Sequence, residues 1–189
     1  MRLKPFLPLV VLVFSTVYAN AQELYQYVQD SIYQTAAGPI SIIRANGAYI
    51  HYAKAEPAYE RFEPATSSNP AITYNDEGFW EIDYSRFVKP SESDVCNMTK
   101  TAFNHYLSIL NTDTTHCRQV RIVIRTDSQG TFKNADVKIW AEPSIYRQIP
   151  PEVLCGLLNA LDDLQFGIPP EYQCISDHYF RYSVFFKDL

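Results

Sequence analysis

The sequence lacks the motifs that mark nucleotide-binding and catalytic sites. It holds only 6 glycines, and no G-x-G-x-x-G or G-K-S/T run occurs among them, so no phosphate-binding loop is indicated. There is no G-x-S-x-G run to expose a nucleophilic serine. There is also no C-x2-C pair, and the 4 histidines are scattered, which disfavours a zinc site. We therefore expect no cofactor, no metal ion and no catalytic residue.

The apolar run at the N-terminus is too short for a membrane-spanning helix. It covers residues 6–17, follows the basic residues Arg2 and Lys4, and precedes Ala19-Asn20-Ala21. A helix needs ~20 residues to cross a bilayer, whereas this order of basic, apolar and small residues is typical of a secretory signal peptide. The alternative is a permanent anchor. We expect residues 1–21 to be removed, leaving a protein without a stable membrane anchor, located in the periplasm or secreted.

Basic residues are too few to suggest a cationic surface. The chain has 16 of them against 21 acidic residues, and removing Arg2 and Lys4 with the signal peptide leaves 14, a net charge of −7. No cluster of Lys and Arg occurs in the sequence. Proteins that bind the nucleic-acid backbone need such a surface to release counterions. We therefore expect neither nucleic acid nor anionic lipid as a partner.

The four cysteines, Cys96, Cys117, Cys155 and Cys174, all lie in the exported part of the chain. An oxidising compartment favours disulfides, so two intramolecular bridges are expected. Four cysteines allow three pairings, and the sequence does not choose between them. We favour Cys96 with Cys117 and Cys155 with Cys174, because each pair brackets a helix followed by a segment long enough to run back along it.

A β-hairpin is predicted at the centre of the second half of the chain, residues 91–189. Apolar and polar residues alternate from Val120 to Ile124 and again from Ala135 to Ile139, which is the period of strands with one buried face. Between them, Asp127-Ser128-Gln129-Gly130 supplies an Asx turn and a glycine that tolerates positive φ.

Helices are predicted on both sides of this hairpin. Apolar residues at three- and four-residue spacing predict a helix over residues 95–110. A second helix begins at Pro150-Pro151 and carries an apolar stripe to Leu164. Alternation over residues 180–186 predicts a last strand at the C-terminus.

The first part of the mature chain, residues 22–90, is predicted to be tyrosine-rich and mostly β. Its first segment, residues 22–32, has apolar residues at four-residue spacing, which indicates either a short helix or an unsettled N-terminus. Asn46-Gly47 is a strong signal for a second hairpin. The remaining pattern predicts a proline-rich loop at residues 56–70, followed by two short strands at residues 72–74 and 79–87.

The order helix, hairpin, helix, strand resembles the C-terminal domain of the TonB family of energy transducers over residues 94–189. The matching motifs are Val120 to Ile124, Asp127 to Gly130, Asn134-Ala135-Asp136-Val137, Phe166 to Pro170 and Tyr182 to Phe186. The resemblance implies an α+β fold in two layers that captures an extended peptide of a receptor along its final strand. The family's anchor and proline-rich spacer are missing, so a stand-alone relative is implied. The style of the leader and the mature sequence also resembles exported proteins of Bacteroidetes-type bacteria.

Two classes of function follow. The first is a non-catalytic interaction module of the cell envelope, not an enzyme, which binds an extended peptide or an envelope protein by β-strand addition at the terminal strand. Its predicted binding residues are Tyr179, Arg181, Tyr182, Ser183, Val184 and Lys187. The alternative is a small secreted hydrolase. The adjacent pairs His116-Cys117 and Asp177-His178 are poor catalytic candidates, because neighbouring residues on a strand point to opposite faces.

Export is the first testable expectation. If the signal peptide is cleaved, the mature chain begins at Gln22, and intact-mass measurement of protein recovered from the periplasm or the medium gives the mass of residues 22–189. Recovery of a chain that retains Met1 to Ala21 in a membrane fraction would contradict the prediction.

Overall fold

The computed structural model describes residues 24–54, 73–74, 80–112 and 118–189. The predicted signal peptide, the loop at 56–70 and Cys117 lie outside these ranges. The strands are β1 (Ser31–Thr35), β2 (Gly38–Asn46), β3 (Tyr49–Lys54), β4 (Thr73–Tyr74), β5 (Trp80–Glu81), β6 (Gln119–Asp127), β7 (Phe132–Trp140) and β8 (Asp177–Phe185). The α-helices are α1 (Glu92–Ala102), α2 (Leu107–Leu110), α3 (Pro143–Tyr146) and α4 (Pro151–Leu161).

Six of the strands form one antiparallel sheet in the order β1-β2-β3-β7-β6-β8, while β4 and β5 pair separately. The hairpin around Asn46-Gly47 is confirmed as β2 and β3. Its second strand pairs with β7, from Ile50 opposite Ile139 to Ala53 opposite Asp136. The two regions expected from the sequence, 22–90 and 91–189, therefore build a single sheet. With its helices the architecture is α+β, as predicted.

The central hairpin, β6 and β7, is also confirmed. Its turn closes on Asp127, whose Oδ1 accepts hydrogen bonds from the amides of Gln129 and Thr131. These hydrogen bonds hold the pKa of Asp127 below its usual range, and the one from the Thr131 amide has the largest effect. Gly130 adopts a φ of 86°, which few residues other than glycine tolerate.

The first predicted helix is shorter than expected. Ser91 and Asp94 form a capping box that starts α1, but Phe103 leaves helical geometry with φ −96° and ψ 12°. The chain then passes through a 3-10 turn into the separate helix α2. The prediction of one continuous helix over residues 95–110 is therefore wrong. Phe103 and Leu110, on the two sides of the break, are both fully buried.

The N-terminal segment forms no helix in its described part. Leu24, Val28 and Ile32, which suggested helical spacing, are 52%, 60% and 56% exposed, and β1 begins at Ser31. The segment is instead held by Tyr27, which is buried and donates a hydrogen bond to the carbonyl of Ile149. The buried Tyr27, and not the apolar residues at four-residue spacing, therefore attaches this segment to the core. Of the strand expected at residues 79–87, the described part, residues 80–87, holds the two-residue strand β5 and then a 3-10 helix at Tyr84–Arg86.

Helices α1 and α4 cover one face of the sheet. The apolar side of α4 buries Leu154, Leu157, Leu158 and Leu161 completely, and each such leucine contributes about 1.5–3 kcal/mol relative to an exposed one. The sheet contributes the alternate residues of each strand to the same core, for example Val120, Ile122 and Ile124 of β6 and Ala135, Val137 and Ile139 of β7. In the part of the chain described, no helix is both long and apolar enough to cross a membrane.

Two glycines give opposite predictions for stability. A Cβ at Gly156, inside α4, meets no atom within 4 Å, so Gly156→Ala should raise the free energy of unfolding by about 0.5–1 kcal/mol through helix propensity. A Cβ at Gly130 lies 2.0 Å from the carbonyl oxygen of Phe166. Gly130→Ala should therefore lower the free energy of unfolding, by about 1–3 kcal/mol from backbone strain alone. Urea denaturation measures both, and a destabilised Gly156→Ala would contradict this packing of α4.

Candidate binding surface

Strand β8 forms one edge of the sheet, since among the described strands it pairs with β6 alone. The expectation that the terminal strand is an edge strand is confirmed. The strand runs from Asp177 to Phe185, and a 3-10 helix at Phe186–Asp188 follows it. Edge strands carry a row of backbone N–H and C=O groups that do not face their single neighbour.

The register identifies which residues of β8 direct those groups outward. The amide of Phe186 donates to the carbonyl of Arg118, and successive residues of an antiparallel strand direct their backbone groups to alternate sides. Counting back along the register, the N–H and C=O groups of Arg181, Ser183 and Phe185 point away from β6. Those of Tyr182 point toward it.

The side chains of β8 alternate between the core and the exposed face of the sheet. Tyr182 and Val184 are 3% and 4% exposed, and burial raises the pKa of the Tyr182 hydroxyl to about 12. That hydroxyl donates to the carbonyl of Pro90 at 3.2 Å. Of the predicted binding residues, Tyr182 and Val184 thus face the core, while Arg181 and Ser183 are exposed on the opposite face.

The two ends of β8 differ in exposure. Near its start, the ring of Tyr84 packs edge-on against Phe180 at 5.9 Å. Burial raises the pKa of Tyr84, and a hydrogen bond with the backbone of Tyr179 opposes that rise. At the other end Phe185 is 46% exposed, and the ammonium of Lys187 lies 5.7 Å from its ring centre. The accessible edge therefore extends from Arg181 to Phe185, and Tyr179 lies at its covered end.

The sheet face opposite the helices carries a cation–aromatic cluster, which we define as Arg44, Tyr49, Arg121, Lys138 and Trp140. The Trp140 ring has the Arg121 guanidinium 4.7 Å and the Lys138 ammonium 5.2 Å from its centre. Lys138 is also 4.8 Å from the ring of Tyr49, and Arg44 is 5.8 Å from it. Such contacts hold a cation at a defined place without neutralising it.

Sequence reasoning missed this cluster. Arg121 and Lys138 are direct cross-strand neighbours on β6 and β7, so the hairpin alternation could have placed them together. Tyr49 joins them only because β3 pairs with β7. No residue of the cluster forms an ion pair with a carboxylate in the described part of the chain.

His51 and Asp136 lie beside the cluster in a buried setting, with His51 Nε2 and Asp136 Oδ2 separated by 4.0 Å. Burial raises the pKa of Asp136 to about 6, a rise that the nearby Lys138 ammonium opposes. Burial and then Lys138 lower the pKa of His51 to about 4. At neutral pH the histidine is uncharged, so this contact is not an ion pair.

The pair Asp177-His178 is separated as the strand geometry predicts. Asp177 forms ion pairs with Arg125 at 2.9 Å and Lys133 at 2.7 Å. His178 is fully buried, and its Nε2 lies 3.2 Å from the carbonyl oxygen of Tyr172. The two side chains have different partners on different faces and do not form an acid–base pair.

The positions of Cys155 and Cys174 do not match the disulfide that the sequence analysis favours between them. Cys155 is buried on α4 with its Sγ 3.6 Å from the carbonyl oxygen of Gly38. Cys174 is exposed, with its Sγ 3.5 Å from the carbonyl oxygen of Glu171. No disulfide joins these two residues, because α4 turns Cys155 toward the β1–β2 hairpin. The pairing of Cys96 with Cys117 stays a prediction, since Cys117 lies outside the described residues.

A shallow groove of about 540 Å³ runs between α1 and α4. Among the described residues that line it, Glu152 is the single ionisable group, so these residues form no acid–base pair. Its lining consists of Asn97, Met98, Thr101, Ala102, Glu152, Val153, Gly156 and Ala160. Within the ranges that the structure describes, no three His, Cys, Asp or Glu side chains converge as metal ligands.

Comparisons with known proteins identify a fold and no family. No family model matches the chain, and a search of curated proteins finds no match. The fold is similar to the crystal structure of a DUF5043 family protein from Bacteroides uniformis, with a TM-score of 0.59 and 13% sequence identity over 86% of this chain and 90% of that one. At this identity the similarity concerns the fold alone. The resemblance to TonB stays a prediction.

Asp136 and His51 predict opposite pH dependences of stability. The raised pKa of Asp136 stabilises the fold below about pH 4, and this contribution is lost as the pH rises through about 6. Asp136→Asn has no carboxyl group to ionise, so this variant does not lose stability as the pH rises through about 6. Relative to the wild type, this variant should gain about 2–3 kcal/mol in the free energy of unfolding between pH 4 and 7.5, measured by urea denaturation.

His51→Gln is the matched control. Because its pKa is lowered to about 4, His51 contributes stability above pH 6.5 that is lost as the pH falls through 4. Relative to the wild type, His51→Gln should therefore lose stability over the same rise in pH. Parallel curves for the wild type and both variants would contradict the burial of this pair.

Proposed function

We propose that this protein is an exported, non-catalytic binding module that captures an extended segment of an envelope protein by adding it as a strand beside β8. The observation that carries the proposal is the outward direction of the backbone groups of Arg181, Ser183 and Phe185. A segment of about five residues that pairs there gains backbone hydrogen bonds, and pockets or neighbours of its side chains supply specificity.

The side chains on this edge also support the proposal. Phe185 is exposed beside the free edge, where it can pack against an aromatic or β-branched residue of an added strand. Tyr182 and Val184 are anchored in the core, so the edge is held in place before a partner arrives. A preorganised edge loses little conformational entropy on binding.

Charged residues at an edge can also serve only to prevent aggregation. Arg181 and Lys187 are both exposed and would repel the same edge of a second copy. They do not repel a partner of neutral or opposite charge. This protection against self-pairing is therefore compatible with capture of a different chain.

Ser183→Pro tests the proposal, because it removes one outward amide from the edge. We expect a pull-down from an envelope extract to recover the partner with the wild type and to lose it at least about tenfold with the variant, the loss of one or more hydrogen bonds. Ser183→Ala keeps the amide and is the matched control. Tyr182→Pro is unsuitable, since the Tyr182 amide points to β6 and its loss would disturb the sheet.

Circular dichroism must first show that Ser183→Pro is folded. Amide hydrogen exchange then locates the contact: a bound segment should slow exchange at Arg181, Ser183 and Phe185, whose amides point outward. Equal recovery of partners by the wild type and the proline variant would rule out the edge. Turnover of ester, peptide or glycoside substrates, without any captured partner, would favour a hydrolase instead.

A further inference from the structure

The cation–aromatic cluster lies beside the edge proposed for binding. Ser183 of β8 is the direct neighbour of Arg121 on β6, and Arg121 is the direct neighbour of Lys138 on β7. All three side chains project from the sheet face opposite the helices, as does that of Arg181. Any strand added beside β8 would direct alternate side chains onto this same face.

The small side chain of Ser183 leaves room between the edge and Arg121. Neighbouring strands lie roughly 4.8 Å apart, so an added strand would lie roughly 10 Å from the backbone of β6. The Arg121 guanidinium packs on Trp140 of β7, so it must swing from that ring toward β8, after which an extended arginine and a glutamate can together span that distance above a serine. The residue opposite Arg181 is closer, because it is a direct cross-strand neighbour.

The cations at this place form no ion pair among the described residues, although Lys138 lies near the buried carboxylate of Asp136. Arg121 is exposed and is held by the ring of Trp140 at 4.7 Å, and Lys138 lies between the rings of Trp140 and Tyr49. Neither forms an ion pair within the described residues. The chain as a whole has a net charge of −5. A local excess of positive charge on an acidic protein is complementary to an anionic ligand.

We propose that the segment captured at β8 is acidic, with carboxylates at alternate positions that face Arg181 and, across Ser183, Arg121. This inference rests on the proposed function and names the chemistry of its partner. The position opposite Phe185 takes an aromatic or β-branched residue. The guanidinium groups donate paired hydrogen bonds to carboxylates, which gives the recognition its direction.

The test uses three synthetic strand-forming peptides that are identical except for Glu, Gln or Lys at the alternate positions. Binding to the mature protein is measured by fluorescence anisotropy of the labelled peptides. We expect the Glu peptide to bind about tenfold more tightly than the Gln peptide, and the Lys peptide more weakly than both. Added salt should reduce the preference for Glu, because the charges involved are partly exposed.

Arg121→Gln should weaken binding of the Glu peptide about three- to tenfold, the range between exposed ion pairs and charge-assisted hydrogen bonds, and leave binding of the Gln peptide unchanged. Lys100→Gln removes the same charge from an exposed position on α1 and is the matched control. It should change neither affinity by more than about twofold. An equal loss in both variants would show a general effect of net charge and would overturn the inference.

Ser183→Pro separates the inference from the proposed function. If the Glu and Gln peptides bind equally and Ser183→Pro weakens both, capture at β8 stands and the acidic preference is wrong. If the Glu peptide is preferred but Ser183→Pro has no effect, the cations bind acids without strand addition, and both proposals fail. A third outcome is that the protein binds polyglucuronate but not the Glu peptide, and that Arg121→Gln abolishes this binding. That outcome would identify an acidic glycan site instead. No binding of any peptide at about 1 mM would overturn both.

Discussion

The pairing of β6 on both of its edges is the constraint on which the rest of the structure depends. All nine residues of β6 face partners on β8, and β7 follows the other edge with one irregularity near Thr126. Because side chains alternate, this double pairing commits Ile122 to the core and Arg121 to the outer face. A slip of one residue would exchange them and place a guanidinium against the helices.

The same alternation gives β8 two separate roles. Its inward residues, Tyr182 and Val184, attach the strand to the core, so its stability does not depend on the outward residues. Arg181 and Ser183 contribute to the outer face instead. The positive charge at the edge discourages pairing between copies of this chain. In the function proposed above, the same charge would also select the partner.

Local patterns predicted the elements whose period and turn chemistry agree. The β6–β7 hairpin, the start of α4 at Pro151 and the terminal strand follow from residues close together in the chain. The sequence misled where a local pattern competed with burial. Leu24 and Val28 have helical spacing but are exposed, since Tyr27 is the residue that the core accepts. The apolar spacing of residues 95–110 continues through Phe103, yet α1 ends there and Phe103 is still buried, so spacing alone did not reveal the break.

The candidate surface was predicted only in part, for a related reason. The sequence by itself determined that the last strand has one apolar face, since apolar residues recur at every second position from Phe180 to Phe186. It also determined the overall acidic charge. Only the tertiary structure decided that β8 pairs with β6 and that β3 joins β7, which brings Tyr49 to Lys138. These pairings join residues distant in sequence, and they are selected by burial of the shared core, to which no local pattern is sensitive.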